Sequence, residues 1–179
     1  MRQFLGPVWQ EARRRRVRLD VIACGSRDAA YAAFQLASRK HPGAFNILLV
    51  DSDGPVRTSA SAHLSAAHRW DLTAADENQI HLMVQTMEAW LIADPEALAE
   101  FYKHGYVGSS LPATRNVEEI SKDDLVPALK RATRDASKGE YHKTRHAFDL
   151  LARIDPEKVR GRAPHCDRLF DTIHRYLAS

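Results

Sequence analysis

The chain has 179 residues, enough for one domain with a hydrophobic core and short for two. Hydrophobic residues make up 44% and charged residues 27%, a composition typical of soluble globular proteins. No apolar run approaches the roughly 20 residues of a membrane-spanning helix. The first apolar residues precede the first basic cluster, the reverse of the order in a secretory signal. We therefore expect no membrane segment and no secretory signal.

The cysteines and the distribution of charge further limit the class of protein to which the chain can belong. Cys24 and Cys166 lie far apart and form no CxxC pair. This argues against a disulfide framework or a thiolate zinc site and predicts a reducing, cytoplasmic setting. The net charge is +3, with basic clusters at 13–16 and 130–145. Such clusters either contact phosphates or form solvated helix faces, and the sequence leaves both readings open.

Helices and strands are predicted to alternate in the N-terminal half. Apolar residues at three- and four-residue spacing predict a helix over residues 3–17. Short apolar runs bounded by turn residues predict strands at Leu19–Ala23 and Phe45–Val50. Between them, Ser26 is a suitable N-cap for a helix over Ala29–Lys40.

A polar stretch at 56–78 shows little periodicity, so we expect a long loop there. A strand is predicted at Ile80–Val84, followed by helices over Thr86–Ala93 and Ala97–Tyr102. The last third is predicted to be helical. Its segments are a loop at Gly105–Asn116, helices at Lys122–Ala136 and Lys143–Ala152, a turn at Pro156–Val159 and a closing helix at Pro164–Leu177.

This order of elements is typical of an α/β fold with a mostly parallel sheet flanked by helices. We expect residues 1–179 to form a single domain. Residues 1–104 would supply the sheet core, and residues 105–179 a helical extension packed on it.

Two acidic residues, Asp51 and Asp53, follow directly after a buried strand. Ligand sites in open parallel sheets lie beyond the carboxyl ends of the strands. Side chains two residues apart in an extended chain point the same way, so both carboxylates could face one Mg²⁺ or Mn²⁺ ion. A plain turn remains the alternative, because Asp, Ser and Gly also favour turns.

Further polar residues are placed to join such a site. Glu88 follows the next strand and is either a third carboxylate at the same rim or a first-turn residue favoured by the helix dipole. Lys143 could stabilise charge on a phosphate, and His146 could act as an acid or base. His142 and His146 have the spacing of a metal pair but lack an HExxH context, and a solvated basic helix is the alternative.

Several motifs together resemble a known family. They include Leu48-Leu-Val-Asp-Ser-Asp-Gly-Pro-Val and residues 21–31, 81–98, 111–113, 138–146 and 150–156. From about Leu19 onward the chain is similar to a bacterial domain-of-unknown-function family with a TOPRIM-like fold. Members are often encoded beside ATPases that resemble the overcoming-lysogenization-defect group, in a setting associated with phage defence.

The resemblance implies a metal-dependent nuclease. TOPRIM domains use a glutamate after their first strand and an Asp-x-Asp after a later one, and Asp51 and Asp53 match the second element. The family's first strand, which ends in Glu-Gly, has no counterpart in this chain. Glu11 lies inside the first predicted helix and does not replace that glutamate.

We therefore expect Mg²⁺-dependent (or Mn²⁺-dependent) phosphodiester hydrolysis in DNA or RNA. Asp51, Asp53 and Glu88 would hold the ion, with Lys143 stabilising the phosphate charge. The residues expected to contact nucleic acid are Arg13, Arg14, Arg15, Arg16, Arg145 and His146. Two alternatives stay open: a non-catalytic partner or regulatory subunit of an ATPase, and a protein that only binds nucleic acid. The oligomeric state is also left open.

Overall fold

The computed structural model describes residues 1–179, the whole of the chain. Its sheet has two parallel strands, β1 (Leu48–Asp51) and β2 (Ile80–Met83), with Leu48 opposite Ile80. Nine α-helices surround the sheet. They are α1 (Gly6–Arg14), α2 (Arg27–Lys40), α3 (Ala60–His68), α4 (Met87–Ala93), α5 (Pro95–Tyr102), α6 (Lys122–Thr133), α7 (Lys143–Leu151), α8 (Pro156–Arg160) and α9 (Pro164–Ala178).

The structure is a mixed α/β fold with a helical C-terminal part, as predicted, but its sheet is smaller than expected. The strand predicted at Leu19–Ala23 is wrong, because residues 18–23 make no backbone–backbone hydrogen bond. The carbonyl of Val21 accepts a bond from the Arg2 guanidinium at 3.3 Å, and Ile22 is 76% exposed. An apolar, β-branched run becomes a strand only when another strand lies beside it.

The polar stretch at 56–78 is not a continuous loop, since it contains α3. Ser59 caps this helix through its hydroxyl, which accepts from the N–H of Ala62 at 3.2 Å. The carboxylate of Glu77 accepts from the N–H of Ala60 at 2.6 Å. Alanine has the highest helix propensity, but α3 is nearly uniform in polarity around its axis and so shows little periodicity.

The two faces of the sheet pack against different clusters of apolar side chains. Leu48 and Val50 point into a smaller cluster with Phe34 of α2 and Leu64 of α3. Leu49 points the opposite way and packs against a larger cluster, as the alternation of side chains along a strand requires.

The larger cluster joins the first helical segment to the helices that follow β2. Trp90 of α4 is fully buried at its centre, and Phe4 stacks on it with ring centroids 5.1 Å apart. Phe170 of α9 meets Phe4 edge-on at 5.7 Å. The helical C-terminal part therefore shares one apolar core with α1 and α4. No helix in the structure has the length and apolar character needed to cross a bilayer.

Gly105 allows the turn after α5 to approach the end of α6 closely. Its φ is +80°, and an added Cβ would lie 1.8 Å from the carbonyl oxygen of Asp135. Adjacent backbone bonds fix this approach, including Ser137 N–H to His104 O at 2.8 Å. Gly139 has a similar φ of +82°, but an added Cβ there would meet open space.

We predict that Gly105→Ala destabilises the protein by about 2–4 kcal/mol, because backbone strain and steric overlap add. The matched control Gly139→Ala keeps the strain without the overlap and should cost only about 1–2 kcal/mol. Chemical denaturation of both variants measures the difference. Equal losses would show that the close approach to Asp135 does not matter.

Candidate functional site

The candidate site lies at the carboxyl ends of the two strands. Asp51 is the last residue of β1, and the pairing continues past it through Ser52 N–H to Met83 O at 3.1 Å. After β2 the chain turns into α4, whose first residue is Met87. The N–H of Met87 donates to Asp51 Oδ1 at 2.9 Å. This bond places the first turn of α4, which carries Glu88, beside the end of β1.

Asp51 is only partly satisfied at this position. Its Oδ1 accepts the bond from Met87, whereas its Oδ2 accepts no hydrogen bond from the protein. Burial raises the pKa of Asp51 above its ordinary value, and the nearby charges of Lys143 and Arg27 offset only part of this effect. Asp51 thus keeps one carboxylate oxygen free for a further ligand.

Asp53 has a separate partner. Its φ of +57° breaks the extended geometry under which the two aspartates would point the same way. Its carboxylate forms an ion pair with Arg27, the first residue of α2. Asp53 therefore positions Arg27 at the rim of the site, and its role as a metal ligand stays a prediction.

Glu88 is fully buried and accepts bonds from three side chains. The donors are Thr86 Oγ1 at 2.8 Å, the Tyr141 hydroxyl at 3.1 Å and Lys143 Nζ at 3.4 Å, and the Lys143 ammonium group also lies 3.2 Å from Glu88 Oε1. Burial opposes ionisation of Glu88, but the bond from Thr86 and the charge of Lys143 outweigh it and hold its pKa below the ordinary value. Glu88 is therefore an anion inside the protein.

Lys143 connects Glu88 to solvent. Its side chain is 57% exposed although its ammonium group lies against a carboxylate with no exposure. Its charge also lowers the pKa of Asp51. Asp51, Glu88 and Lys143 thus form one group of interacting charges, which we call the strand-end cluster.

Glu88 differs from the other buried carboxylates because no backbone N–H of another residue donates to it. Its lysine partner is not unique, since Asp94 also accepts from Lys158 Nζ at 3.0 Å. Asp94 accepts from the backbone N–H groups of Ala97 and Asp155, and Glu118 from that of His165. Those two carboxylates fix helix ends. All the donors to Glu88 from other residues are side chains, which can move away without breaking a helix.

The donors available for a metal ion are the oxygens of Asp51 and Glu88. The structure contains no group of three or more His, Cys, Asp or Glu side chains arranged to hold a metal. Two carboxylates nevertheless suit Mg²⁺, which is usually bound by one or two carboxylates together with water and substrate phosphate. The donor chemistry therefore fits the predicted ion only if water or substrate completes its coordination.

The basic residues predicted to contact nucleic acid fall in two separate places. Arg14 and Arg15 pair with Glu11 along α1, and Arg13 and Arg16 make no ion pair. None of these four belongs to the strand-end cluster.

The other two lie on α7, which also carries Lys143. Arg145 is exposed and unpaired. His146 is half-buried, with Nδ1 at 3.0 Å from the Tyr102 hydroxyl and accepting from the N–H of His142 at 3.2 Å. These bonds occupy Nδ1 and hold the His146 ring against Tyr102.

Three residues of the site were missed in the sequence: Arg27, Thr86 and Tyr141. Tyr141 precedes Lys143 by two residues within the 138–146 motif, and this proximity was the available signal. Thr86 is the residue before α4 and carries the hydroxyl nearest Glu88 in the chain. Nothing local marks Arg27, because its pairing with Asp53 spans 26 residues.

We predict opposite stability effects for two isosteric changes in buffer with a chelator. Folding raises the pKa of Asp51, so the Asp51 side chain contributes to stability at low pH, where it is protonated, and this contribution is lost as the pH rises. Asp51→Asn should therefore stabilise the protein at pH 7. The pKa of Glu88 is lowered, so its contribution is present above its unfolded pKa and lost as pH falls. Glu88→Gln should cost about 1–3 kcal/mol at pH 7 and less near pH 3.

Thermal unfolding of both variants at the two pH values checks these signs. Destabilisation by Asp51→Asn at pH 7, or a loss for Glu88→Gln that does not shrink on acidification, would contradict this description of the charges.

Comparison with known proteins places the chain in a family. Its sequence matches the family described as Domain of unknown function (DUF4276) over residues 1–174. No curated protein and no solved structure gives a significant match. Because the match spans almost the full length, the chain belongs to the DUF4276 family.

Proposed function

We propose that the protein is a divalent-metal-dependent phosphodiesterase that acts on nucleic acid at the strand-end cluster. The observation that carries this proposal is the arrangement at Glu88. A fully buried carboxylate is neutralised by a lysine that reaches it from solvent, next to a second carboxylate with a free oxygen. Such an arrangement can exchange its cation without unfolding. The proposal also includes what the TOPRIM-like resemblance implies: a role in phage defence, a cytoplasmic location and an ATPase partner.

Asp51 and Glu88 would hold Mg²⁺ or Mn²⁺. The bound ion would act as a Lewis acid on a phosphate oxygen. Thr86 and Tyr141 keep Glu88 ionised and oriented through their hydroxyl groups. With the ion held by Glu88, the ammonium group of Lys143 would be available to neutralise the phosphate.

Arg27 supports the same site from the other side. Its guanidinium is held by Asp53 and lies close enough to Asp51 to lower the pKa of that residue. A fixed guanidinium at the rim provides a second cation for a phosphodiester. In this proposal Asp53 acts by positioning Arg27, so Asp51 and Asp53 have separable roles.

We predict that the purified protein cleaves nucleic acid with Mg²⁺ or Mn²⁺ and not with EDTA. Glu88→Gln should lower the rate by ~100-fold or more, since loss of an outer-shell partner alone costs about 10- to 100-fold in metal sites. The matched control is Glu140→Gln, because Glu140 also pairs with a lysine, Lys130, but at the surface. Cleavage of single- and double-stranded DNA and RNA should be measured.

Asp51→Asn and Asp53→Asn separate the two aspartates. We expect Asp51→Asn to match the loss of Glu88→Gln, and Asp53→Asn to raise KM more than it lowers kcat. Absence of metal-dependent cleavage on all four substrates, or full activity of Glu88→Gln, would refute the proposed function.

A further inference from the structure

Residues 18–23, which we call the open segment, have an unpaired backbone. None of them makes a backbone–backbone hydrogen bond. Leu19 and Val21 pack against the larger apolar cluster. Arg18 and Asp20 are exposed and form an ion pair at 2.8 Å. Side chains two residues apart point the same way in an extended chain, so this alternation gives the open segment the geometry of a strand without a neighbour.

One side of the open segment presents backbone groups that its own chain does not bind. The carbonyl of Val21 accepts a bond from the Arg2 guanidinium at 3.3 Å, which fixes the side to which the backbone groups of Val21 point. The N–H and C=O groups of successive residues point to opposite sides of an extended chain. Those of Arg18 and Asp20 therefore lie on the side away from Arg2, and they have no hydrogen-bond partner in the chain. Unpaired backbone groups in a row are a template for another strand.

This free edge is short. The carbonyl of Ile22 already accepts a contact from the Cys24 thiol at 3.7 Å. At the other end, Arg16 has a φ of +58°, which lies outside the extended region. A partner strand can thus use the backbone of Arg18 and Asp20 and little beyond them.

The charges on the open segment are complementary to those of a second copy. Arg18 and Asp20 carry opposite charges and flank Leu19. If two copies pair antiparallel with Leu19 opposite Leu19, the Arg18 of each copy lies opposite the Asp20 of the other, which is a favourable cross-strand pair.

The two neighbouring registers are less favourable. Centring the pairing on Asp20 would place two aspartates opposite each other, and like charges at that position are destabilising. Centring it on Val21 would place Asp20 opposite Ile22 and would require the carbonyl that Cys24 contacts. Both the charges and the free backbone groups therefore select the register centred on Leu19.

We propose that the open segment joins two copies of the chain into a two-fold symmetric dimer, in an antiparallel pairing centred on Leu19. The N–H and C=O of each Arg18 would bond to those of Asp20 in the other copy, and the four side chains would form an alternating cluster of charges. The ladder is short and its ion pairs are exposed, so the dimer is weak and depends on protein concentration. This inference does not depend on the proposed function.

The test is sedimentation equilibrium of the full chain over roughly 1 μM to 1 mM. The unaltered chain should dimerise within this range. Arg18→Asp and Asp20→Arg, each alone, should weaken dimerisation by roughly tenfold or more, because each places like charges opposite each other. The matched control is Arg13→Asp, which makes the same change of charge at an exposed, unpaired arginine of α1 and should leave dimerisation unchanged.

Mixing the two single variants separates pairing between chains from effects within one chain. The Arg18→Asp variant carries an acid at both positions, and the Asp20→Arg variant carries a base at both. An equimolar mixture should therefore form a heterodimer about as readily as the unaltered chain dimerises. The ion pair within each chain is lost in both variants whether or not they are mixed, so recovery on mixing reports contact between chains.

Amide hydrogen exchange tests the register. The N–H groups of Arg18 and Asp20 should exchange more slowly as protein concentration rises, whereas that of Val21 should not, since it points away from the partner strand.

A monomer over the whole concentration range would overturn the inference. So would single variants that dimerise as readily as the unaltered chain, a mixture of them that stays monomeric, or exchange at Arg18 and Asp20 that ignores concentration. None of these measurements involves nucleic acid or metal, so their outcome is independent of the proposed function.

Discussion

The ionised carboxylate of Glu88, buried without any exposed surface, constrains the arrangement of the whole C-terminal part. Removing a charge from water costs several kcal/mol unless donors replace the lost hydration. The donors come from Thr86 before α4 and from Tyr141 and Lys143 around the start of α7. Satisfying Glu88 therefore requires the chain after α6 to return to the strand ends, and this brings α7 against α4. An apolar residue of similar volume could fill the same space, so stability alone does not explain a carboxylate here.

The second constraint is the bond from the N–H of Met87 to Asp51. It links the end of β1 to the start of α4 and so sets how far the carboxylates of Asp51 and Glu88 are from each other. The same bond leaves one Asp51 oxygen free, whereas a full cap would have used both. The site thus combines a rigid backbone connection with a cation, Lys143, that solvent can reach. Rigid carboxylates with an exchangeable cation are what a metal and phosphate site requires.

The ends of the strands and the periodicity of the helices could be read from the sequence, and all three residues of the strand-end cluster were among the predicted site residues. The apolar runs at 45–50 and 80–84 predicted β1 and β2, and parallel pairing placed Asp51 and Glu88 at one edge. The strand at Leu19–Ala23 failed because strand formation depends on a neighbour that a local pattern cannot reveal. The extended geometry assumed from Asp51 to Asp53 was wrong, because the chain turns at Asp53 with a positive φ. Pairings over long separations, such as Arg27 with Asp53 and Tyr141 with Glu88, leave no periodic signal.

The most direct test of the central claim is the binding of Mn²⁺ to the metal-free protein, followed by electron paramagnetic resonance. We predict one bound equivalent in the unaltered chain, loss of that binding in Glu88→Gln, and retention in Glu140→Gln and Asp53→Asn. Tighter binding is expected in Lys143→Met, because that change removes the cation with which Mn²⁺ must compete at Glu88. No bound equivalent in the unaltered chain, or undiminished binding in Glu88→Gln, would contradict the assignment of the strand-end cluster as a cation site.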